Sequence, residues 1–227
     1  MTSDALDNPV WSALRSHHAG FAMQEGPAAR YPADVAPFGA VESATPEAAK
    51  ALERLVSPGE SVYLVGVAPQ LGDGWTLNSR STIPQMVCQA PIPVRAGPEW
   101  TVLTHIHRTD MLALTALVFP GFFRPRTLEM GRYLGIYCGK VLAAMAGERM
   151  RFEGYQEISA VCTHPEFLGR GYAQRLVAQL SNETFERGMT PFLHVHRDNI
   201  RAITVYERLG YVRRADVGLW SITRRET

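Results

Sequence analysis

Two stretches of the chain hold side chains and glycines at a spacing that can do chemistry. In the first, the mostly apolar run Glu157-Ile158-Ser159-Ala160-Val161-Cys162-Thr163 is halted at Pro165 and passes through Leu168-Gly169-Arg170-Gly171-Tyr172-Ala173 into a helical pattern. Proline has no N–H to offer a sheet, so the strand ends there. The first turn of the helix exposes unpaired N–H groups at the positive end of its dipole, a setting that suits a phosphate or pyrophosphate. Gly169 and Gly171 let an oxyanion approach the backbone with no Cβ in the way, and Arg170 adds a charge. In the second stretch, Leu193 to Tyr211, Asn199 and Tyr206 stand seven residues apart and so share one face of a helix.

Spacing separates the phosphate motifs. A P-loop needs G-x-x-x-x-G-K-[ST], which is absent, and a dinucleotide fingerprint needs a third glycine where this chain has Gln174. Leu168-Gly169-Arg170-Gly171-Tyr172-Ala173 instead resembles the acetyl-CoA loop [QR]-x-x-G-x-[GA] of the GCN5-related N-acetyltransferases, with Leu168 where Gln or Arg is usual. The preceding Val161-x-Thr163-His164-Pro165-Glu166 run is similar to the FR47-like branch of that superfamily. Leu193 to Tyr211 matches the superfamily block L-x-V-x-x-x-N-x-x-A-x-x-x-Y-x-x-x-G-[FY] at every marked position. The resemblance covers residues 99–227.

The resemblance implies a mixed α/β sheet fold and direct attack of an amine on the carbonyl of acetyl-CoA, with no metal. Val161, Cys162, Thr163, Leu168, Gly169, Arg170, Gly171, Tyr172, Ala173, Asn199 and Tyr206 would hold the cofactor, Asn199 at the pantetheine arm. The Tyr206 hydroxyl would protonate the departing thiolate, and a backbone N–H near Val161 or Cys162 would meet the carbonyl oxygen. Two residues compete as the base. Glu157 lies fourteen residues before Gly171, as does the general-base glutamate of the histone acetyltransferase branch. Strand alternation puts it in phase with Ser159, Val161 and Thr163, and partial burial would raise its pKa; the alternative is a solvated residue at a strand start. His194 lies twelve residues before Tyr206, where the ribosomal-protein alanine acetyltransferase branch carries a glutamate. The pairs His194/His196 and His105/His107 alternate as strand residues do, but spacing supplies no third metal ligand. Cys162, a buried strand thiol, is expected to be inert rather than a nucleophile.

The elements that must position these residues follow from periodicity. Expected strands run over 100–107, 133–138, 141–147, 155–163, 191–196 and 211–223, the second and third joined as a hairpin at Gly139-Lys140. Expected helices run over 110–119, 171–188 and 199–209. Upstream, residues 1–98 are punctuated by Gly and Pro, with a helix over 45–55 opened by Thr45-Pro46-Glu47 and a strand over 61–67. They carry no catalytic motif and read as an accessory or lid region, or as a degenerate half of the same fold; residues 99–227 read as the catalytic domain.

Composition bounds the rest. With 227 residues, 23 Lys+Arg against 22 Asp+Glu and 46% hydrophobic residues, the chain is globular and lacks the basic excess of a nucleic-acid or membrane-surface binder. Its three unpaired-looking cysteines, its lack of a basic n-region before an apolar stretch, and a longest apolar run broken by Pro120-Gly121 predict a cytoplasmic protein without a membrane span. The expected partner is a small-molecule or peptide amine, and a homodimer is compatible. The rival reading is a noncatalytic acyl-CoA sensor with a decayed acceptor side.

Overall fold

The computed structural model describes residues 5–226, which form two compact units. One comprises residues 5–84, 150–153 and 216–226; the other comprises 85–149 and 154–215. Residues 85–98, grouped by composition with the N-terminal stretch, therefore belong by packing to the second unit.

The first unit contains α1 (Pro9–Leu14), the short strands β1 (Met23–Glu25), β2 (Ala28–Arg30) and β3 (Gly39–Val41), α2 (Pro46–Leu55), β4 (Ser61–Val65) and most of β5 (Trp75–Cys88). Thr45 caps α2 by accepting from the Ala48 N–H at 3.2 Å, as its Thr-Pro-Glu opening predicts. The buried face of α2 is Ala48, Ala49, Ala51 and Leu52, small enough for Trp75 to reach the Ala49 carbonyl with its indole N–H at 3.4 Å. Arg30, 3% exposed, is fully occupied by Glu60 and by the carbonyls of Tyr31 and Leu55, a structural pair. Strand β5 was not expected. Thr76 to Arg80 are exposed and all but Leu77 polar, and Pro84 lies within the strand, so its sequence lacks the alternation that marks one.

The second unit contains the end of β5, β6 (Thr101–Leu103), α3 (Arg108–Val118), β7 (Tyr133–Cys138), most of β8 (Val141–Phe152), β9 (Tyr155–Thr163), α4 (Tyr172–Glu186), β10 (Thr190–His194), α5 (Ile200–Arg208) and the start of β11 (Tyr211–Arg224). Its strands lie in the order β5-β10-β9-β8-β7-β6. The β9–β10 pair is parallel and its neighbours β5–β10, β7–β8 and β6–β7 are antiparallel, so the sheet is mixed. Helices α4 and α5 cover one face through Leu176, Val177, Leu180 and Tyr206, packed on Ile136, Ile158, Leu193 and Val195. On the other face α3 packs Met111 and Leu114 against Tyr133, Met145 and Cys162.

Two histidine expectations are corrected. His105 and His107 lie in a single 3-10 turn, where His107 Nδ1 accepts from the Thr104 N–H at 3.0 Å to close a capping box, and α3 starts directly after them. Strand β10 stops at His194, leaving His196 exposed in the following turn and out of any shared strand face.

Candidate active site

The parallel pairing of β9 with β10 runs from Tyr155↔Thr190 to Glu157↔Phe192. Beyond it β9 continues to Thr163 while β10 ends at His194. In this continuation Ala160 takes φ of +51°, a left-handed value that is uncommon for alanine and marks a bulge. The bulge inverts the alternation. Ile158 and Val161, three residues apart, pack into the same cluster under α4 and α5, while Ala160 and Cys162 face α3. The expected phase linking Glu157 to Val161 and Thr163 is therefore broken at Ala160.

After β9 the chain reaches α4 through Gly169 and Gly171, at φ of +80° and +75°. Gly171 is the N-cap of α4 and has no side chain to turn back on the first-turn N–H groups. A Cβ built on Gly169 would meet nothing within 4 Å, so the peptide face there is open. Asn199 caps α5, its Oδ1 accepting from the Ala202 N–H at 3.1 Å, which leaves its amide N–H groups as the outward-facing function.

These elements surround one cavity of about 740 Å³, lined by Val161, Cys162, Thr163, Leu168, Gly169, Arg170, Gly171, Tyr172, Ala173, Asn199 and Tyr206 among others. Every residue expected to bind the cofactor is thus brought to it. Five arginines, Arg95, Arg170, Arg175, Arg201 and Arg208, are among the lining, and among the described residues no acidic side chain is. Such a lining fits a ligand with several phosphates. Arg170 stacks over Phe167 at 5.0 Å, which holds its charge beside the glycine loop. Arg201 and Arg208 were missed, although their seven-residue spacing on α5 is a legible signal; Arg95 belongs to a segment far away in sequence and had none.

Tyr206 is 7% exposed, with its ring centroid 6.0 Å from that of Tyr211. Burial pushes its hydroxyl pKa up, and the nearby Cys162 adds to the effect, so the group is a proton donor at neutral pH. Burial likewise pushes the Cys162 thiol up to about 12, so it stays protonated.

Glu157 and His194 do not line the cavity. Glu157 is completely buried and takes both oxygens to Arg149, at 2.7 Å from Nη2 and 2.7 Å from Nε. His194 Nδ1 lies 2.8 Å from Glu157 Oε1, and its Nε2 lies 3.0 Å from Gln85 Nε2. Gln85 is buried, and its Oε1 accepts from Arg214 at 2.9 Å. An arginine can only donate, so Arg214 fixes the Gln85 oxygen towards itself and the amide NH₂ towards His194. His194 then accepts at Nε2 from Gln85 and donates from Nδ1 to Glu157.

The raised pKa expected of Glu157 is reversed. Burial alone would raise it, but the charge and hydrogen bonds of Arg149, with the His194 hydrogen bond, outweigh burial and hold it at about 2. A folded pKa below the unfolded value stabilises the protein above the unfolded pKa, and that stabilisation is lost as pH falls through the folded one. Glu157→Gln is expected to lower the unfolding free energy at pH 7 by about 3 kcal/mol, because Arg149 loses its charge partner. Between about pH 5 and pH 2 the gap to wild type should narrow; urea unfolding across that range reads both effects.

The bulged strand β9, the glycine-capped start of α4 and the arginine-lined cavity make an arrangement suited to a ligand with several phosphates. Residues 133–221 match the family described as FR47-like protein. A protein from Novosphingobium aromaticivorans, assigned to the GNAT family of acetyltransferases, is 30% identical over 99% of this chain and 100% of its own, with a TM-score of 0.89. The chain belongs to the GNAT family, the GCN5-related N-acetyltransferases. Because that relative covers 99% of the chain, the N-terminal stretch is part of what the two share. A GCN5-related N-acetyltransferase from Kribbella flavida (18% identity, 96% of this chain and 93% of its own, TM-score 0.61) shares the fold. So does an acetyltransferase of the GNAT family from Colwellia psychrerythraea (11%, 64% and 57%, TM-score 0.53). No curated protein matches the chain. Among the described residues no helix is long and apolar enough to cross a membrane, and no cluster of three or more His, Cys, Asp or Glu could hold a metal.

Proposed function

We propose that the chain transfers the acetyl group of acetyl-CoA to a primary amine by direct attack. The observation that carries this reading is the cavity lined, among the described residues, by five arginines and no acid, opening at the glycine-capped start of α4. Acetyl-CoA supplies an activated thioester carbonyl. The N–H groups of Gly171 to Ala173 bind its pyrophosphate, and Arg170 adds charge from the Phe167 ring. Asn199 offers its amide N–H groups to the pantetheine arm. Strand β9, bent at Ala160, turns the Val161 or Cys162 N–H to the carbonyl oxygen. Tyr206 holds a proton at its hydroxyl for the sulfur that leaves.

Neither Glu157 nor His194 takes the amine proton, because each is fully engaged in the Arg149–Gln85–Arg214 network. The amine must then arrive neutral or yield its proton to water. Consequently the acid limb of kcat/KM should move with the pKa of the amine when two acceptors of different basicity are compared. A limb that stays at one pH for both acceptors would return the role to a group of the protein itself.

The same locked network favours a second reading, a noncatalytic acyl-CoA-binding protein. Acetyl-CoA-dependent thiol release over a panel of amino acids, polyamines, aminoglycosides and peptide N-termini decides between them. Turnover on any of these supports transfer; tight CoA binding with no turnover on all of them supports the second reading.

A further inference from the structure

We propose that the extended segment from Gln89 to Glu99 is a fixed wall of the cofactor cavity, fastened to α4, and that Arg95 on it pairs with a phosphate of bound CoA. The inference rests on the CoA reading above. Between Cys88 and Thr101 the chain forms no helix or strand, and Pro91, Pro93 and Pro98 limit its freedom. Two side chains of α4, seven residues and hence two turns apart, hold it from one stripe of that helix. Asn182 grips Ile92 at both ends of its backbone, accepting from its N–H at 2.8 Å and donating to its carbonyl at 2.8 Å. The Ile92 side chain is buried in the core with Leu176 and Leu180.

Arg175 donates from Nε to the Pro98 carbonyl at 3.0 Å and from Nη1 to the Arg95 carbonyl, with its guanidinium 4.6 Å over the Trp100 ring. A Cβ on Gly97 would come within 3.2 Å of Arg175 Cδ, so the segment lies close against α4. Arg175 is thereby committed to two carbonyls and a ring. Arg95 is different: it lines the cavity, is exposed, and makes no ion pair among the described residues. Its backbone is held on both sides, so ordering the side chain on an anion costs little beyond its own rotamers. Arg95 is a specificity residue in this scheme, and Asn182, which does not line the cavity, is a positioning residue acting through it.

Titration calorimetry of the wild type, Arg95→Gln, Asn182→Ala and the double variant with CoA, 3′-dephospho-CoA and pantetheine tests the proposal. Arg95→Gln changes an exposed side chain, so folding is kept. It is expected to weaken CoA by about fivefold to tenfold and leave pantetheine, which carries no phosphate, unchanged. Asn182→Ala should give a loss of the same kind with faster amide exchange over residues 92–97, and the double variant should be no weaker than the weaker single. If the Arg95→Gln loss disappears with 3′-dephospho-CoA, the partner is the 3′-phosphate; if it persists, the partner is the pyrophosphate, and either is the proposed contact. Unchanged CoA affinity in Arg95→Gln, an equal loss for pantetheine, or additive losses in the double variant would overturn it. A wild type that binds no CoA would instead remove the functional reading on which it stands.

Discussion

Gly171→Glu abolishes CoA binding, a loss of at least about a hundredfold in affinity, while the protein still folds. Two effects combine. The position sits at φ of +75°, where a side chain costs about 1–2 kcal/mol. The new carboxylate would stand at the uncapped start of α4, where it competes with the pyrophosphate for the same N–H groups and repels it. The space itself is open, since a Cβ there meets only Gln174 Oε1 at 3.6 Å, so the fold has no steric reason to fail. Gly171→Ala separates the effects: it carries the backbone cost without the charge and should lose roughly tenfold at most. Calorimetry with CoA, beside thermal unfolding of each variant, reads the outcome. Undiminished affinity in Gly171→Glu would mean that the phosphates lie elsewhere.

Tyr206→Phe lowers kcat by about a hundredfold and changes CoA affinity by less than about twofold. The substitution removes only the hydroxyl and keeps the ring that packs beside Tyr211, so a purely structural role predicts little change in turnover. A proton donor to the leaving sulfur is used only as the thioester breaks, so its loss falls on kcat and not on ground-state binding. Steady-state thiol release with the best amine, together with a CoA titration, makes the distinction. A kcat within threefold of wild type would end the assignment of Tyr206 as the acid.

The residues that the family resemblance singles out for the cofactor line one cavity because they are local in sequence: Gly169, Gly171 and the helix that follows are contiguous, and Asn199 and Tyr206 belong to one short helix and its cap. That Glu157 and His194 lie outside the cavity lining was not legible, for two physical reasons. The bulge falls on Ala160, a residue type that gives no warning of left-handed backbone, and one inserted residue reverses every facing inferred beyond it. The environment of Glu157 is assembled from Arg149, His194, Gln85 and Arg214, brought together by the folding of separate strands. A carboxylate in an apolar cleft and one beside a buried arginine look alike in sequence and shift in opposite directions. Arg95 was hidden in the same way, since its place at the cavity depends on Arg175 and Asn182, 80 and 90 residues from the carbonyls they hold. In the first unit, strands of three residues such as Ala28–Arg30 are too short to show periodicity.

The central claim is that the cavity at the start of α4 is an acyl-CoA site. Titrating acetyl-CoA into the wild-type protein and into Gly171→Glu tests it most directly. The account predicts one site per chain in the wild type, with affinity that falls as salt is raised because the arginines and the helix terminus carry much of the binding, and no measurable heat in the variant. Equal binding to both proteins, or binding to neither, would contradict it.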